Sequence, residues 1–357
     1  VIGPEAPLVG GLADRLRGRG RLVLGPGADG ARLEGSKAWM KELVSRAGVP
    51  TAEYRAFSDV DLALSHLRRQ RPPYVVKTDG LAAGKGVLVT GSLAEAEADV
   101  RAKLSGVSFG TAGSVVVIEE AMAGPELSLL ALCDGSRAAP LPLARDFKRL
   151  GDDDRGPNTG GMGAFAPVTD VPQGLVDEVM DRIVDPTLFA LRREGIDYRG
   201  ILYAGLMCTT EGPRLVEINV RLGDPEAQCV LPLLDGEALL ASFSEAAAGR
   251  LRSVPRVRDG SAVCVVLAAE GYPDKPRSGA IIAGVEEAEQ MDGVDVLQAG
   301  TVVDMAGRLA AAGGRVLDVV GSGSGITDAR QRAYSAVERV AWPGSLWRSD
   351  IAREAGR

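Results

Sequence analysis

Three polar side chains alternate in the stretch RLVEINVRLGDPE: Glu217, Asn219 and Arg221. In a strand, residues two apart share a face, so these three are expected to point one way while Val216, Ile218 and Val220 point into a core. A carboxylate and a carboxamide so placed can both offer oxygens to Mg²⁺, which takes hard oxygen ligands. Arg221 could pair in bidentate fashion with a phosphate or carboxylate. The plainer alternative is the polar face of a half-exposed hairpin. Asp224 and Glu226 carry the charge on into the next turn.

A second constellation lies in YVVKTDGLAAGKGVLV, residues 74–89. An apolar run feeds a glycine-rich turn holding a lysine, and another apolar run follows. The pattern departs from the P-loop, G-x-x-x-x-G-K-[ST]. Only three residues separate Gly80 from Gly84, and Gly86 follows Lys85 where a magnesium-binding hydroxyl would stand. Gly80, Gly84 and Gly86 still let backbone N–H groups approach a ligand closely. With Lys77 and Lys85 this suits a polyphosphate; the alternative is a surface hairpin with incidental lysines.

Two further segments add chemistry. In VVVIEEAMAGPEL an apolar strand runs into Glu119 and Glu120, with Glu126 just beyond. Such an edge can read an adenine and a carboxylate can accept ribose hydroxyls, or the acids are simply solvated. In RDFKRLGDDDRGPNTGGMGAFAP, Lys148 and Arg149 precede the acids Asp152 to Asp154, and Asn158, Thr159, Gly160 and Gly161 follow. A long loop of this kind, expected to lack secondary structure, suits a small zwitterionic or phosphorylated substrate.

What is lacking narrows the chemistry. The lone histidine, His66, sits in LALSHLRRQR, expected to be a solvated helix face, so a histidine cage or histidine triad is excluded. The cysteines Cys133, Cys208, Cys229 and Cys264 are far apart and read as free thiols. Together the four segments describe a magnesium–ATP enzyme without an evident protein nucleophile. The substrate then supplies it: a carboxylate attacks the γ-phosphate and an amine displaces phosphate from the acyl carbon. Lys77, Lys85, Arg221 and Mg²⁺ would neutralise the transferring phosphoryl oxygens.

The elements that must hold these residues are α/β and α+β. At 357 residues, 45% hydrophobic and 25% charged, the chain has room for two or three ordinary globular domains. Its net charge of −7 gives no general affinity for nucleic acid, and no run is long and apolar enough to span a bilayer. Residues 1–30 read as the end of a parallel α/β domain: VIG ends a strand, LVGGLADRLRGRG is a helix, RLVLGPG a strand and turn. SKAWMKELVSRAG is a helix capped by Ser36, and VDLALSHLRRQ is another. Strands 74–77 and 87–90, helix 92–104 and strand 115–120 follow. Antiparallel signals fill 126–250: ELSLLALCDG with RAAPLPLA, the hairpin RGILYAGLMCTTEGPRLVEINV, then helix EALLASFSEAAAG. The tail has strands AVCVVLAA and RVLDVVG, and a last helix capped by Thr327 or Asp328.

At this point the sequence resembles the phosphoribosylamine–glycine ligase (glycinamide ribonucleotide synthetase) family of the ATP-grasp superfamily. The resemblance rests on GPEAPLV at 3–9, LEGSK at 33–37, VVKTDGLAAGKGV at 75–87, IEE with GPE at 118–126, GPNTGGMGAFAP at 156–167, ILYAGLM at 201–207 and VEINVRLGDPE at 216–226. GYP, AGT, GGRVL and RAY continue it through the tail, in order.

The resemblance implies an ATP-grasp fold with a partial N-terminal parallel α/β domain (1–30), a core (31–51 and 118–252), a lid (52–117) and a small C-terminal α+β domain (253–357). It implies ligation of glycine to 5-phosphoribosylamine through glycyl phosphate, in purine biosynthesis, with ATP and Mg²⁺ or Mn²⁺. Lys37, Lys77, Gly84, Lys85, Gly86, Glu119, Glu120 and Glu126 would contact the nucleotide, with Glu120 at the adenine hinge and Glu126 at the ribose. Glu217 and Asn219 would hold the metal. Pro4, Glu5, Lys148, Asp154, Asn158, Thr159, Gly160, Gly161 and Arg221 would line the substrate side, and Lys77 and Arg221 would be catalytic. A cytoplasmic monomer or dimer is expected, with neither nucleic acid nor membrane as partner. The family's opening strand and glycine-rich turn have no counterpart here, and their residues are expected to lie outside this sequence. Phe147 stands where many relatives carry histidine, and Leu222 where phenylalanine is common. The competing readings are another ATP-grasp carboxylate–amine ligase or carboxylase, and a non-catalytic nucleotide-binding protein. A dinucleotide-dependent dehydrogenase is disfavoured, because no G-x-G-x-x-G opens a helix after a parallel strand.

Overall fold

The structure is a computed structural model and describes residues 3–355 apart from 83–85, 107 and 109. The chain divides into two compact units. The first comprises Val1–Leu141, Gln173–Leu222 and Glu237–Val254; the second comprises Pro142–Pro172, Gly223–Gly236 and Pro255–Arg357.

The first unit is built on two antiparallel sheets. One has the order Tyr54–Phe57, Val116–Glu119, Tyr74–Thr78, Val87–Thr90. Helices Val60–Leu67 and Leu93–Leu104 supply its hydrophobic layer, with Ala63, Leu64, Leu67 and Val100 against Val76, Val116 and Ile118. Asp59 and Ser92 start these helices by accepting the N–H groups of Leu62 and Glu95. The second sheet has the order Gly212–Asn219, Arg199–Thr209, Glu126–Asp134, Ala138–Pro140. Both hairpins expected from the sequence are therefore present. His66 is half-buried against the Phe57 ring, 5.2 Å between centroids, rather than fully solvated.

The second unit carries a five-stranded antiparallel sheet in the order Val294–Gln298, Arg315–Gly323, Ser261–Ala268, Gly163–Ala166, Arg145–Asp146. Helix Ile326–Val337 lies tightly on it at Gly321, where a Cβ would come 2.2 Å from the Ala329 carbonyl oxygen. Residues 142–172 and 223–236, read from sequence as core, pack in this unit.

Several local expectations change. The first expected helix is two, Ala6–Val9 and Leu12–Arg17, interrupted at Gly11 with φ 76°. RLVLGPG forms no strand. Its backbone groups are satisfied otherwise: the Arg17 guanidinium donates to the carbonyls of Val23 and Gly25, and Gly25 N–H donates to the Arg199 carbonyl. Val1 and Ile2 of the expected strand end lie outside the described residues. The loop at 145–166 is not structureless but carries the strands Arg145–Asp146, Arg149–Gly151, Arg155–Asn158 and Gly163–Ala166. The last helix is capped by Gly325; Asp328 sits inside the first turn, accepting from Ser324 N–H and the Arg332 guanidinium. A helix through 175–193, with a π-turn at Met180–Val184, went unread in the sequence. Among the described residues the four cysteines form no disulfide.

Candidate active site

Strand Gly212–Asn219 carries Glu217 and Asn219, the pair expected to hold the metal, and its register explains their placement. Glu217 opposes Gly205 and Leu215 opposes Leu206, so Val216 is an extra residue in a bulge. This corrects the expected alternation: Ile218 and Val220 are buried, but Val216 is only half-buried. The bulge leaves the Val216 carbonyl outside the ladder, where it accepts from Lys77 Nζ at 3.3 Å. Beyond the bulge Glu217 and Asn219 share a face, and Gly205 leaves room for the carboxylate: a Cβ there would lie 3.2 Å from Glu217 Cγ. Two oxygen-bearing side chains on one rigid strand suit Mg²⁺, which completes its shell with water and substrate phosphates.

Lys77 is 4% exposed, with Nζ 2.9 Å from Glu119 Oε2. The same carboxylate oxygen lies 3.1 Å from Nζ of Lys41, which is fully buried and also donates to Thr51 Oγ1. Burial pushes the Lys41 ammonium down to about 8 against the pull of Glu119. Glu119 is thus a buried counter-ion, not a solvated acid, and its Oε1 has no hydrogen-bond partner in the structure. Glu120, half-buried, accepts from Arg214 at 2.5 Å and from Glu53 N–H. Glu126 is exposed.

Asp79 organises the entry to the glycine-rich turn. Its carboxylate accepts from Ala38 N–H at 2.7 Å and from Ser36 Oγ, while its carbonyl accepts Lys37 N–H. With Ser36 Oγ accepting Trp39 N–H, the start of helix Lys37–Arg46 is doubly held. Lys37 Nζ reaches the Gly80 carbonyl at 3.4 Å. Burial lowers the Lys37 pKa, with Glu217 opposing and Lys77 adding to the shift. The Gly86 carbonyl closes the turn by accepting Thr78 N–H. Gly84 and Lys85 lie outside the described residues.

Arg221 follows the metal strand and is held by acids. NH2 lies 2.9 Å from Glu34 Oε1, Nε lies 3.6 Å from Glu5 Oε2, and NH1 donates to the Leu222 carbonyl. Burial drives Glu34 up to about 7, against Arg221 and the Val220 N–H; Glu5 and Glu217 add to the rise. The first unit therefore gathers Glu5, Lys37, Lys77, Glu217, Asn219 and Arg221 through direct contacts, a shared strand or electrostatic neighbours; Pro4, exposed, precedes Glu5 in the chain. Sequence reasoning missed Glu34, Lys41, Asp79 and Gly205. Of these, Glu34, Asp79 and Gly205 had a signal in their places within LEGSK, VVKTDGLAAGKGV and ILYAGLM, and Lys41 had none.

The second unit holds the remaining expected residues. Thr159 N–H and Oγ1 both donate to the Lys148 carbonyl, and Gly161 N–H donates to Thr159 Oγ1. Gly160 N–H donates to the Tyr272 hydroxyl, and the Gly160 carbonyl accepts from Arg315, which also pairs with Asp224 at 2.8 Å. Gly161 has φ 114°, and a Cβ there would lie 2.5 Å from Pro225 Cδ. Asn158 opposes Arg149 in the small hairpin. Asp154 lies in an acidic run that pairs with residues near the end of the chain. Its carboxylate meets Arg348 at 2.7 Å, while Asp152 binds Ser349 and Asp153 binds Arg353. The Arg348 guanidinium, 4.9 Å from the Phe147 ring centroid, also chelates Asp350. Phe147 thus gives that buried cation an aromatic face.

The chain is similar to known proteins over nearly its whole length. The family model "Phosphoribosylglycinamide synthetase, ATP-grasp (A) domain" matches residues 35–227, and the corresponding C-domain model matches 262–354. The phosphoribosylamine–glycine ligase of Mesorhizobium japonicum is 46% identical over 356 residues, covering 99% of this chain and 83% of that one. The chloroplastic enzyme of Arabidopsis thaliana is 46% identical, over 100% of this chain and 68% of its own length. The crystal structure of the Thermotoga maritima phosphoribosylamine–glycine ligase superposes with a TM-score of 0.85 at 38% identity, covering 92% of this chain and 82% of that chain. A biotin carboxylase domain from Hydrogenobacter thermophilus, at 19% identity and TM-score 0.69, shares the fold. The chain belongs to the phosphoribosylamine–glycine ligase family of the ATP-grasp superfamily.

Proposed function

We propose that the chain ligates glycine to 5-phosphoribosylamine at the expense of ATP, giving glycinamide ribonucleotide, ADP and phosphate. The observation that carries the reading is the strand bearing Glu217 and Asn219, with Lys77 bonded to the carbonyl of its bulge and Arg221 at its end. Among the described residues the site has acids and cations but no histidine or cysteine suited to attack, so the substrate carboxylate is the nucleophile. Glycine attacks the γ-phosphorus, ADP leaves, and the ribosylamine nitrogen then displaces phosphate from the glycyl carbon.

Glu217 and Asn219 would hold Mg²⁺ or Mn²⁺, which when bound neutralises phosphate charge. Lys77, buried, and Lys37, half-buried, would neutralise the transferring oxygens from pre-set positions. Arg221 and Glu5 take the substrate side of the first unit. Lys148 and the 158–161 segment of the second unit, with Asp154, belong to the same substrate reading. Gly84, Lys85, Gly86, Glu119, Glu120 and Glu126 belong to the nucleotide. Residues 52–117 are assigned as the lid, 31–51 and 118–252 as the core, and 253–357 as the C-terminal domain. Free thiols support a cytoplasmic setting. Among the described residues no helix is long and apolar enough to cross a membrane. A monomer or dimer suffices, and the net negative charge favours neither nucleic acid nor anionic lipid.

The test is ADP release. It should require glycine together with phosphoribosylamine, and Glu217→Ala should abolish it while the protein stays folded. Equal turnover with bicarbonate or D-alanine would transfer the chain's activity to another ATP-grasp reaction.

A further inference from the structure

We propose that Glu34 is a positioning residue for this reaction: it holds Arg221 off the metal-binding oxygen of Asn219 and pins the end of the strand that carries it. The proposal rests on the metal role read above for Glu217 and Asn219.

Glu34 lies in the last turn of helix Ala28–Gly35, where the helix dipole disfavours a carboxylate. Its side chain is only 9% exposed. A buried acid in that position needs tertiary partners, and it has two, on consecutive residues. Oε2 accepts Val220 N–H at 2.8 Å, and Oε1 accepts from Arg221 NH2 at 2.9 Å. Val220 directly follows Asn219. The support is itself rigid, because the helix ends at Gly35 and the next one starts at Lys37 under the double cap of Ser36 and Asp79.

The geometry around Arg221 shows what Glu34 prevents. The same NH2 that meets Glu34 lies 3.5 Å from Asn219 Oδ1, at the outer limit of a hydrogen bond. Above about pH 7, where Glu34 is ionised, it wins that nitrogen because a charged acceptor at 2.9 Å outcompetes a neutral amide at 3.5 Å. Without the carboxylate, Arg221 keeps Glu5 on Nε at 3.6 Å, while the freed NH2 has Asn219 Oδ1 beside it at 3.5 Å. It would then compete with the cation for that ligand. Arg221 is thereby kept for the substrate, and the Asn219 oxygen for the metal.

The experiment measures Mn²⁺ binding to the ATP-loaded protein by electron paramagnetic resonance, alongside glycine-dependent ADP release. Glu34→Gln keeps an acceptor for Val220 N–H and loses the charge. It should weaken Mn²⁺ binding roughly tenfold and lower kcat about 10- to 100-fold. Adding Arg221→Met to Glu34→Gln removes the competitor, so Mn²⁺ affinity should return to within about threefold of the parent while turnover stays low. A merely structural Glu34 would not show this recovery. Parent-like Mn²⁺ binding in Glu34→Gln, or a double variant bound no more tightly than the single, overturns the proposal. Should Glu34→Gln not fold, the double variant, free of the unmatched cation, carries the test alone, and Mn²⁺ affinity well below the parent's overturns it. A parent that binds Mn²⁺ but releases no ADP with glycine would sink the functional reading and leave the role of Glu34 to the binding data.

Discussion

Lys77 Nζ stands 2.9 Å from Glu119 Oε2 on neighbouring antiparallel strands, and both side chains are almost wholly buried. Glu119 in turn is shared with Lys41, so one carboxylate balances two buried ammonium groups. The lysine read from sequence as a phosphate contact is thus also part of the core. Its replacement should cost stability as well as turnover.

For Lys77→Met the expected loss of stability is about 1–3 kcal/mol, less than for a fully orphaned buried charge because Lys41 remains beside Glu119. Turnover should fall by roughly a hundredfold or more. Lys77→Met leaves the buried Lys41–Glu119 pair intact, so urea unfolding should show only that modest loss while ADP release falls far more. Parent-like turnover in the folded variant would take Lys77 out of phosphoryl transfer.

Gly205 offers a way to disturb the strand of Glu217 and Asn219 without touching either proposed ligand. A Cβ at 205 would press on Glu217 Cγ at 3.2 Å, so Gly205→Ala should tilt the carboxylate away from Asn219. In a strand interior alanine loses less conformational entropy than glycine, so stability should change by under about 1 kcal/mol. The Mg²⁺ concentration giving half-maximal ADP release should rise roughly tenfold. An unchanged Mg²⁺ requirement would mean that the strand accommodates the methyl group.

Much of this arrangement was legible because it is local. The apolar runs on either side of 79–86, the cap at Ser36 and the hairpin turn near Gly212 each follow from neighbouring residues. The pairing of Glu217 with Asn219 followed from strand periodicity. The bulge at Val216 did not, since a register shift depends on the partner strand. Asp79 as a cap for a helix far upstream, Lys41 as a second counter-ion and Glu34 as the holder of Arg221 are likewise tertiary facts. The ion pairs of the acidic run 152–154 were not legible because their cationic partners, Arg348 and Arg353, lie near the far end of the chain. RLVLG looked like a strand because propensity says nothing about which backbone partners are present.

Asp318 gives a prediction about pH in the second unit. It is 4% exposed; Oδ2 accepts from Gln228, and Oδ1 has no hydrogen-bond partner in the structure. Burial, reinforced by Asp224, raises its pKa from 3.8 to about 6, against the bond from Gln228 and the charge of Arg315. The folded protein therefore holds this proton more tightly than the unfolded chain. Stability is highest below about pH 4, falls as pH rises to about 6, and stays reduced above. Asp318→Asn keeps a carbonyl for Gln228 and removes the titration. At pH 8 it should be more stable than the parent by on the order of 2–3 kcal/mol. The advantage should vanish near pH 4. Urea unfolding of both proteins at pH 4, 6 and 8 reads the difference directly. A gain of equal size at all three values would show that packing, not the carboxylate charge, separates them; a loss at pH 8 would show that the charge is stabilised by Arg315 after all.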